Sequence, residues 1–223
     1  MSLDGLHHPG PRLTAQRYVE DELRRTILDG TRLAGSRIRQ NEVAKNLDVS
    51  TTPVREAIRS LASEGLIRLD SHRGAVVHEV DREELEEVYE MRQLLEPAAI
   101  QRAIKYITND RLQYIESLHE LMSDERDLVR WAELNREFHA ATTRGVISDR
   151  FESVLRQLRD ASALYVVLTL REQTGRLEQA HEEHAQLLRA LRTRDSELAA
   201  QITVQHLNAT SHAGWDALNE KED

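Results

Sequence analysis

Histidine and asparagine recur in this chain at positions where the helical period asks for apolar residues. Read at about 100° per residue, segment 127–143 turns one stripe of Leu128, Trp131, Ala132, Asn135, Phe138, His139 and Thr142 toward a core. Segment 175–193 presents Leu177, His181, His184, Leu188 and Leu191 in the same way, and 195–214 presents Ala199, Ile202, His206 and Ala209. A lone histidine on such a face is usually a hydrogen-bonded core residue, because a buried ring needs partners. Several rings from separate helices, with a carboxamide beside them, point instead to a shared divalent ion that satisfies all of them together. Neutral imidazole suits zinc or nickel, and helices of a bundle can supply the whole shell. Asn135 and His139 are four residues apart, the spacing that lets two ligands grip one ion. His181 and His184 are three apart, unlike the zinc-protease spacing, which leaves His181 outside the first ring of ligands.

A second anomaly lies on segment 82–106, whose stripe Leu85, Val88, Arg92, Leu95 and Ala99 carries an arginine in an apolar row. Arg92 either pairs with a glutamate at the rim or clamps a carboxylate or phosphate ligand through its forked donors. Glu137 and Glu183 lie near the histidines in sequence, but no helical phase puts either on the inner stripe. A metal-dependent reaction would want a general base there.

The stretch VSTTPVREAIRSLASEGLI, residues 49–67, carries different chemistry. Val54, Ala57, Ile58 and Leu61 form one apolar stripe, while Arg55 and Arg59 project from another side and Thr51 and Thr52 precede them. Pro53 suits the first helical position, with Thr52 as the N-cap. Such a helix, anchored on one face, can offer arginine to guanine edges and hydroxyls to phosphate. Beyond Gly65, LIRL and AVVH read as strands joined through a loop containing His72, Arg73 and Gly74, a hairpin that would reach an adjacent groove.

These constellations require two kinds of scaffold. Apolar-periodic segments at about 15–28 and 42–47, the helix of the quoted stretch and the hairpin compose a winged helix-turn-helix over 13–80. Asp81 and Glu84 then look like a capping box opening an all-α bundle over 82–214, after a linker of a few residues near 78–81. Its segments are about 82–106 (bent near Pro97), 110–122, 127–143, 149–171, 175–193 and 195–214, with a tail at 215–223. The fold expected is therefore mainly α, in two domains. The 223 residues hold no cysteine, which removes disulfides, thiolate metal sites and cysteine nucleophiles. No apolar run approaches the roughly 20 residues of a membrane span, and MSLDGLHHPGP reads as a disordered lead over 1–12 without a secretory core, so a cytoplasmic protein is expected. The net charge of −9 is unevenly spread: residues 1–80 hold 12 basic against 11 acidic side chains, and 81–223 hold 18 against 28. A near-neutral head can present a local basic face to phosphate despite an acidic body.

The run LAGSRIRQNEVAKNLDVSTTPVREAIRSLASEGLIRLDSHRGAVV resembles the DNA-binding domain of GntR-type bacterial transcription factors, in which V-S-[RT]-T-P-V-R-E-A-[LI]-x-x-L-x-x-E-G-L recurs. The resemblance implies DNA contacts by Arg55, Thr52, Arg59 and the wing residues His72, Arg73 and Gly74. Thr51 stands where many relatives carry arginine, which implies fewer charged base contacts. The second half, through YEMRQLLEPAAI, NREFHAAT, HEEHAQLLRAL and QHL, is similar to the FCD effector domain of the FadR-type branch. There an aspartate and three histidines bind a divalent metal beside a cavity for small organic acids. Carried over, the ligands are Asn135, His139, His184 and His206, with a neutral amide in place of the aspartate. Relatives of this kind are dimers on palindromic operator DNA. The expected function is a homodimeric transcription regulator, a repressor, answering to a small carboxylate effector. The alternative is a metal-dependent enzyme of the helical-bundle type with an appended DNA-binding domain.

Overall fold

A computed structural model describes residues 14–219; the expected lead at 1–12 lies outside the described residues. The head contains α1 (Ala15–Leu28), β1 (Arg37–Ile38), α2 (Gln40–Asn46), α3 (Thr51–Ser63), β2 (Ile67–Asp70) and β3 (Gly74–Val77). The Thr14 hydroxyl caps α1 by accepting from the Arg17 N–H. Val19, Leu23 and Ile27 of α1 are buried with Val54, Ala57, Ile58 and Leu61 of α3, the stripe the period marks out. The hairpin β2–β3 forms as expected, and β1 adds a third antiparallel strand on the free edge of β3.

One sequence expectation fails at the start of α3. The helix begins at Thr51, so Ser50, and not Thr52, occupies the N-cap position, and Ser50 makes no side-chain cap bond. Pro53 sits third in the helix. It is tolerated because N–H groups of the first turn have no intrahelical acceptor.

The bundle contains α4 (Arg82–Ala103), a 3-10 turn (Ile104–Tyr106), α5 (Asn109–Asp124), α6 (Leu128–Ala141), α7 (Asp149–Ala161), α8 (Ala163–Glu172), α9 (Arg176–Thr193) and α10 (Ser196–Asn219). Asp81 caps α4 by accepting from the Glu83 N–H, but the Glu84 carboxylate does not close a capping box. It turns to His78 at 2.6 Å and accepts from the Tyr165 hydroxyl, which ties the linker to the bundle. The expected segment 149–171 is broken at Ser162 into α7 and α8. The expected tail at 215–223 is helical as far as Asn219, because Ala217 and Leu218 are buried in a small cluster with Leu85, Tyr89 and Tyr165.

Helix α4 lies along α10, α6 packs on α5 and α8, and α9 packs on α5 and α10. That arrangement turns the inner faces of α4, α6, α9 and α10 toward one space. The buried apolar residues of the head run without a break into those of the bundle. The Arg171 guanidinium also donates to the Leu28 carbonyl at 3.3 Å, and Ala161 lies against Gly65. Among the described residues no helix is long and apolar enough to cross a membrane.

Candidate functional site

In the head, Thr51, Thr52, Arg55, Arg59, His72, Arg73 and Gly74 are all exposed. Arg59 is paired with Glu56 at 3.1 Å, whereas Arg55 makes no hydrogen bond or ion pair in the described residues. The uncapped start of α3 leaves its first N–H groups open to an anion. At the wing the Asp70 carboxylate accepts the backbone N–H groups of Arg73 and His72, each at 2.7 Å, which shapes the turn and holds its own pKa down. Gly74, with φ of +77°, completes the turn in a conformation that favours glycine. Arg73 also reaches back to the Gly35 carbonyl at 3.2 Å.

In the bundle, His139 of α6, His184 of α9 and His206 of α10 converge, with one possible ligand atom from each lying within 4.8 Å of the others. All three are buried. Asn135 Oδ1, His139 Nε2 and both ring nitrogens of His184 are buried without any hydrogen-bond partner. Orphaned lone pairs of this kind cost free energy unless something satisfies them. His206 is the exception, since its Nδ1 lies 2.6 Å from Glu183 Oε2. A carboxylate only accepts, so the ring proton belongs on Nδ1 and the Nε2 lone pair is free. Burial pushes the pKa values of His139 and His184 well below the ordinary imidazole value, and that of His206 down too, although Glu183 opposes it. Neutral rings with free lone pairs can hold a metal ion, and the donor set fits one.

The structure corrects the expectation that Glu183 stays away from this space. It stands on the flank of α9 beside His184, yet its carboxylate reaches both His206 and Arg176, the latter at 3.0 Å. Glu137 does face outward, bound by Arg144 at 2.7 and 2.8 Å and by the Tyr114 hydroxyl. His181 lies outside the cluster, stacked on His119 with ring centroids 3.9 Å apart.

Arg92 is buried, and its Nε donates to Glu96 at 2.7 Å while another nitrogen donates to the Ser162 hydroxyl at 2.8 Å. The other oxygen of Glu96 accepts from Arg159 at 3.0 and 3.2 Å. Burial alone would raise the Glu96 carboxyl, but Arg159 and Arg92 outweigh it and hold the group at about 2. Arg92 thus has the glutamate partner that sequence offered as one of two readings. It also lines a cavity of about 330 Å³ with Asn135, His206, Trp131, Tyr89 and Arg176. Sequence reasoning missed Glu96, although it stands four residues after Arg92, one helical turn away. It also missed Arg159 and Arg176, which flank apolar stripes and gave no periodic signal.

Comparison with known proteins bears on what this geometry serves. Residues 15–77 match the family described as bacterial regulatory proteins, gntR family, and residues 87–209 match the FCD domain, more than half of the chain. The chain belongs to the GntR family. This GntR-family chain is 30% identical to the probable D-xylose utilization operon transcriptional repressor of Paenarthrobacter nicotinovorans, over 92% of its own length and 94% of that relative's. It is 27% identical to the gluconate operon transcriptional repressor of Bacillus subtilis, over 85% and 81%. A solved GntR family member from Pseudomonas syringae aligns with a TM-score of 0.60 at 29% identity, covering 97% of this chain and 91% of that one. McbR/YncC of Escherichia coli shares the fold with a TM-score of 0.72 at 22% identity, covering 92% and 99%. A GntR head joined to an FCD effector domain makes the chain a ligand-responsive, DNA-binding transcription regulator.

Proposed function

We propose that the protein is a homodimeric operator-binding repressor whose affinity for a palindromic site is set by a small carboxylate held beside a divalent metal. The observation that carries the metal part is the convergence of His139, His184 and His206 on the orphaned Asn135 oxygen. These four residues would hold zinc or nickel, both suited to neutral imidazole. Bound there, the ion supplies positive charge that draws a carboxylate. The chain's own residues do the rest. Glu183 fixes the tautomer of His206, burial keeps the rings neutral, and Arg92 offers donors to the acid.

In the head, Arg55 and Arg59 would meet base edges or phosphates, Thr51 and Thr52 the phosphates at the start of α3, and the wing residues His72, Arg73 and Gly74 an adjacent groove. The path between the halves would run through Ser162, at the break between α7 and α8. Arg92 donates to its hydroxyl, and its neighbour Ala161 lies against Gly65, just beyond α3. A ligand that draws Arg92 away from Ser162 would favour one seating of the head over another. It shifts the population only as far as it binds the two arrangements differently. Exposed Met91 and Leu94 on α4 and Val154 on α7 offer a second copy an apolar face.

Elemental analysis of protein purified without chelator tests the metal centre. About one divalent ion per chain is expected, and His184→Ala should lose it. Wild-type protein that takes up neither zinc nor nickel on incubation would leave the histidines as a core without a metal.

A further inference from the structure

The cavity that Arg92 lines has a second cation that the reading above does not use. Arg176 opens α9 directly after Gly175, whose φ of +83° turns the chain into the helix. It is 4% exposed, and one terminal nitrogen donates to both Glu183 at 3.0 Å and the Thr210 hydroxyl at 2.7 Å. Its other terminal nitrogen, NH1, is buried with no partner. On the same cavity wall, the Trp131 indole N–H is buried and unpartnered as well. Two strong donors left unmet in one small cavity are costly in the empty protein and are repaid by a ligand with acceptors to meet them.

The charge balance specifies that ligand further. Arg92, Arg159 and Arg176 are set against Glu96 and Glu183 alone, and Glu183 is shared with His206. The residues facing the metal position are three imidazoles and an amide, so the expected ion would bring two charges that no ligand side chain neutralises. An aspartate in place of Asn135 would have removed one. A monoanion would leave much of this positive charge buried and uncompensated, which is costly in a low-dielectric site. A cavity of about 330 Å³ is near the small end for ligand sites, which limits the occupant to a few carbons.

We infer that Arg176 is a second anion-binding residue of this cavity and that its ligand is a short dicarboxylate, with one carboxylate near the metal and Arg92 and the other on Arg176 and the Trp131 N–H. This rests on the reading of the bundle as a carboxylate-binding effector domain. It goes further by naming the second carboxylate and the residue that selects it.

The test compares succinate with butyrate, which share four carbons and differ by one carboxylate, by calorimetric titration of the zinc-loaded full-length protein. Wild type should bind succinate about 10- to 100-fold more tightly, the factor for one charge-assisted hydrogen-bonding group. Arg176→Gln should erase most of that preference by weakening succinate far more than butyrate. Should that variant fail to fold, Arg176→Lys keeps a cation near Glu183 but loses the fork, and it too should lose most of the preference. Equal affinity of wild type for the two acids overturns the inference and leaves the carboxylate reading standing. An equal loss for both acids in Arg176→Gln, or full preference retained in Arg176→Lys, also overturns it. Binding of neither acid by wild type removes both readings.

Discussion

Arg55 and Arg92 are both arginines set on short helices, and their surroundings give them opposite characters. Arg55 is exposed, touches no carboxylate and leaves the packed stripe of α3 intact, so it is free to meet DNA. Arg55→Ala should therefore cost about 1–3 kcal/mol of specific operator binding while the thermal midpoint stays put. A gel-shift titration at fixed salt checks this, and unchanged affinity would rule Arg55 out as a base contact. Arg92 is instead locked into a buried triad with Glu96 and Arg159. Glu96 titrates at about 2 in the fold, against about 4.5 for an ordinary glutamate. A carboxyl with a depressed pKa stabilises the native state above its unfolded value and loses that contribution as pH falls through the folded one. Stability should accordingly drop between about pH 4.5 and 2, and Glu96→Gln should flatten that part of the profile. The same substitution should cost about 3–5 kcal/mol at neutral pH by leaving two buried guanidiniums facing an amide. Thermal melts across the pH range read both effects; a steep acid limb retained in Glu96→Gln would assign the loss to other carboxylates.

Elements place these residues, and one glycine shows how narrowly. Gly65 ends the turn after α3 with φ of +79°, and its nearest neighbour is the Ala161 backbone, 3.5 Å from where a Cβ would sit. Alanine fits that space, so its cost is conformational, about 1–2 kcal/mol for a left-handed L-residue. Urea denaturation of Gly65→Ala should show that loss, and full stability would mean the turn relaxes. The elements legible in the sequence were those with several turns or a marked loop: the α3 stripe, the hairpin closed by Gly74, and the helices that bring His139, His184 and His206 together. The rest had no local signal. Strand β1 is two residues long, too short for alternation, and exists because β3 has a free edge. The break at Ser162 lies among residues compatible with helix. It is accompanied by hydrogen bonds from Arg92 to the Ser162 hydroxyl and from that hydroxyl to the Arg159 carbonyl, partners far apart or invisible to a helical wheel. Glu183 escaped for a related reason: a long side chain on the flank of a helix can still reach the inside.

At the scale of the whole molecule, the acidity belongs to the bundle and the DNA-facing side chains to the near-neutral head. Phosphate affinity then depends on a few exposed arginines and falls with salt. The head shares a continuous apolar core with the bundle and meets it at Leu28–Arg171 and Gly65–Ala161. A change of packing around Ser162 therefore has a short route to α3. Two heads on one palindrome need a fixed separation, and the account places control of that separation in the histidine cavity. The central claim is that occupancy of the cavity changes operator affinity. It is tested most directly by fluorescence anisotropy of labelled DNA from upstream of the protein's own gene, titrated with zinc-loaded wild type at constant salt, with and without succinate at a concentration that calorimetry shows to be saturating. The account predicts a change in operator affinity of about 5- to 150-fold, corresponding to a coupling of about 1–3 kcal/mol. Identical affinity with the cavity filled and empty would contradict it.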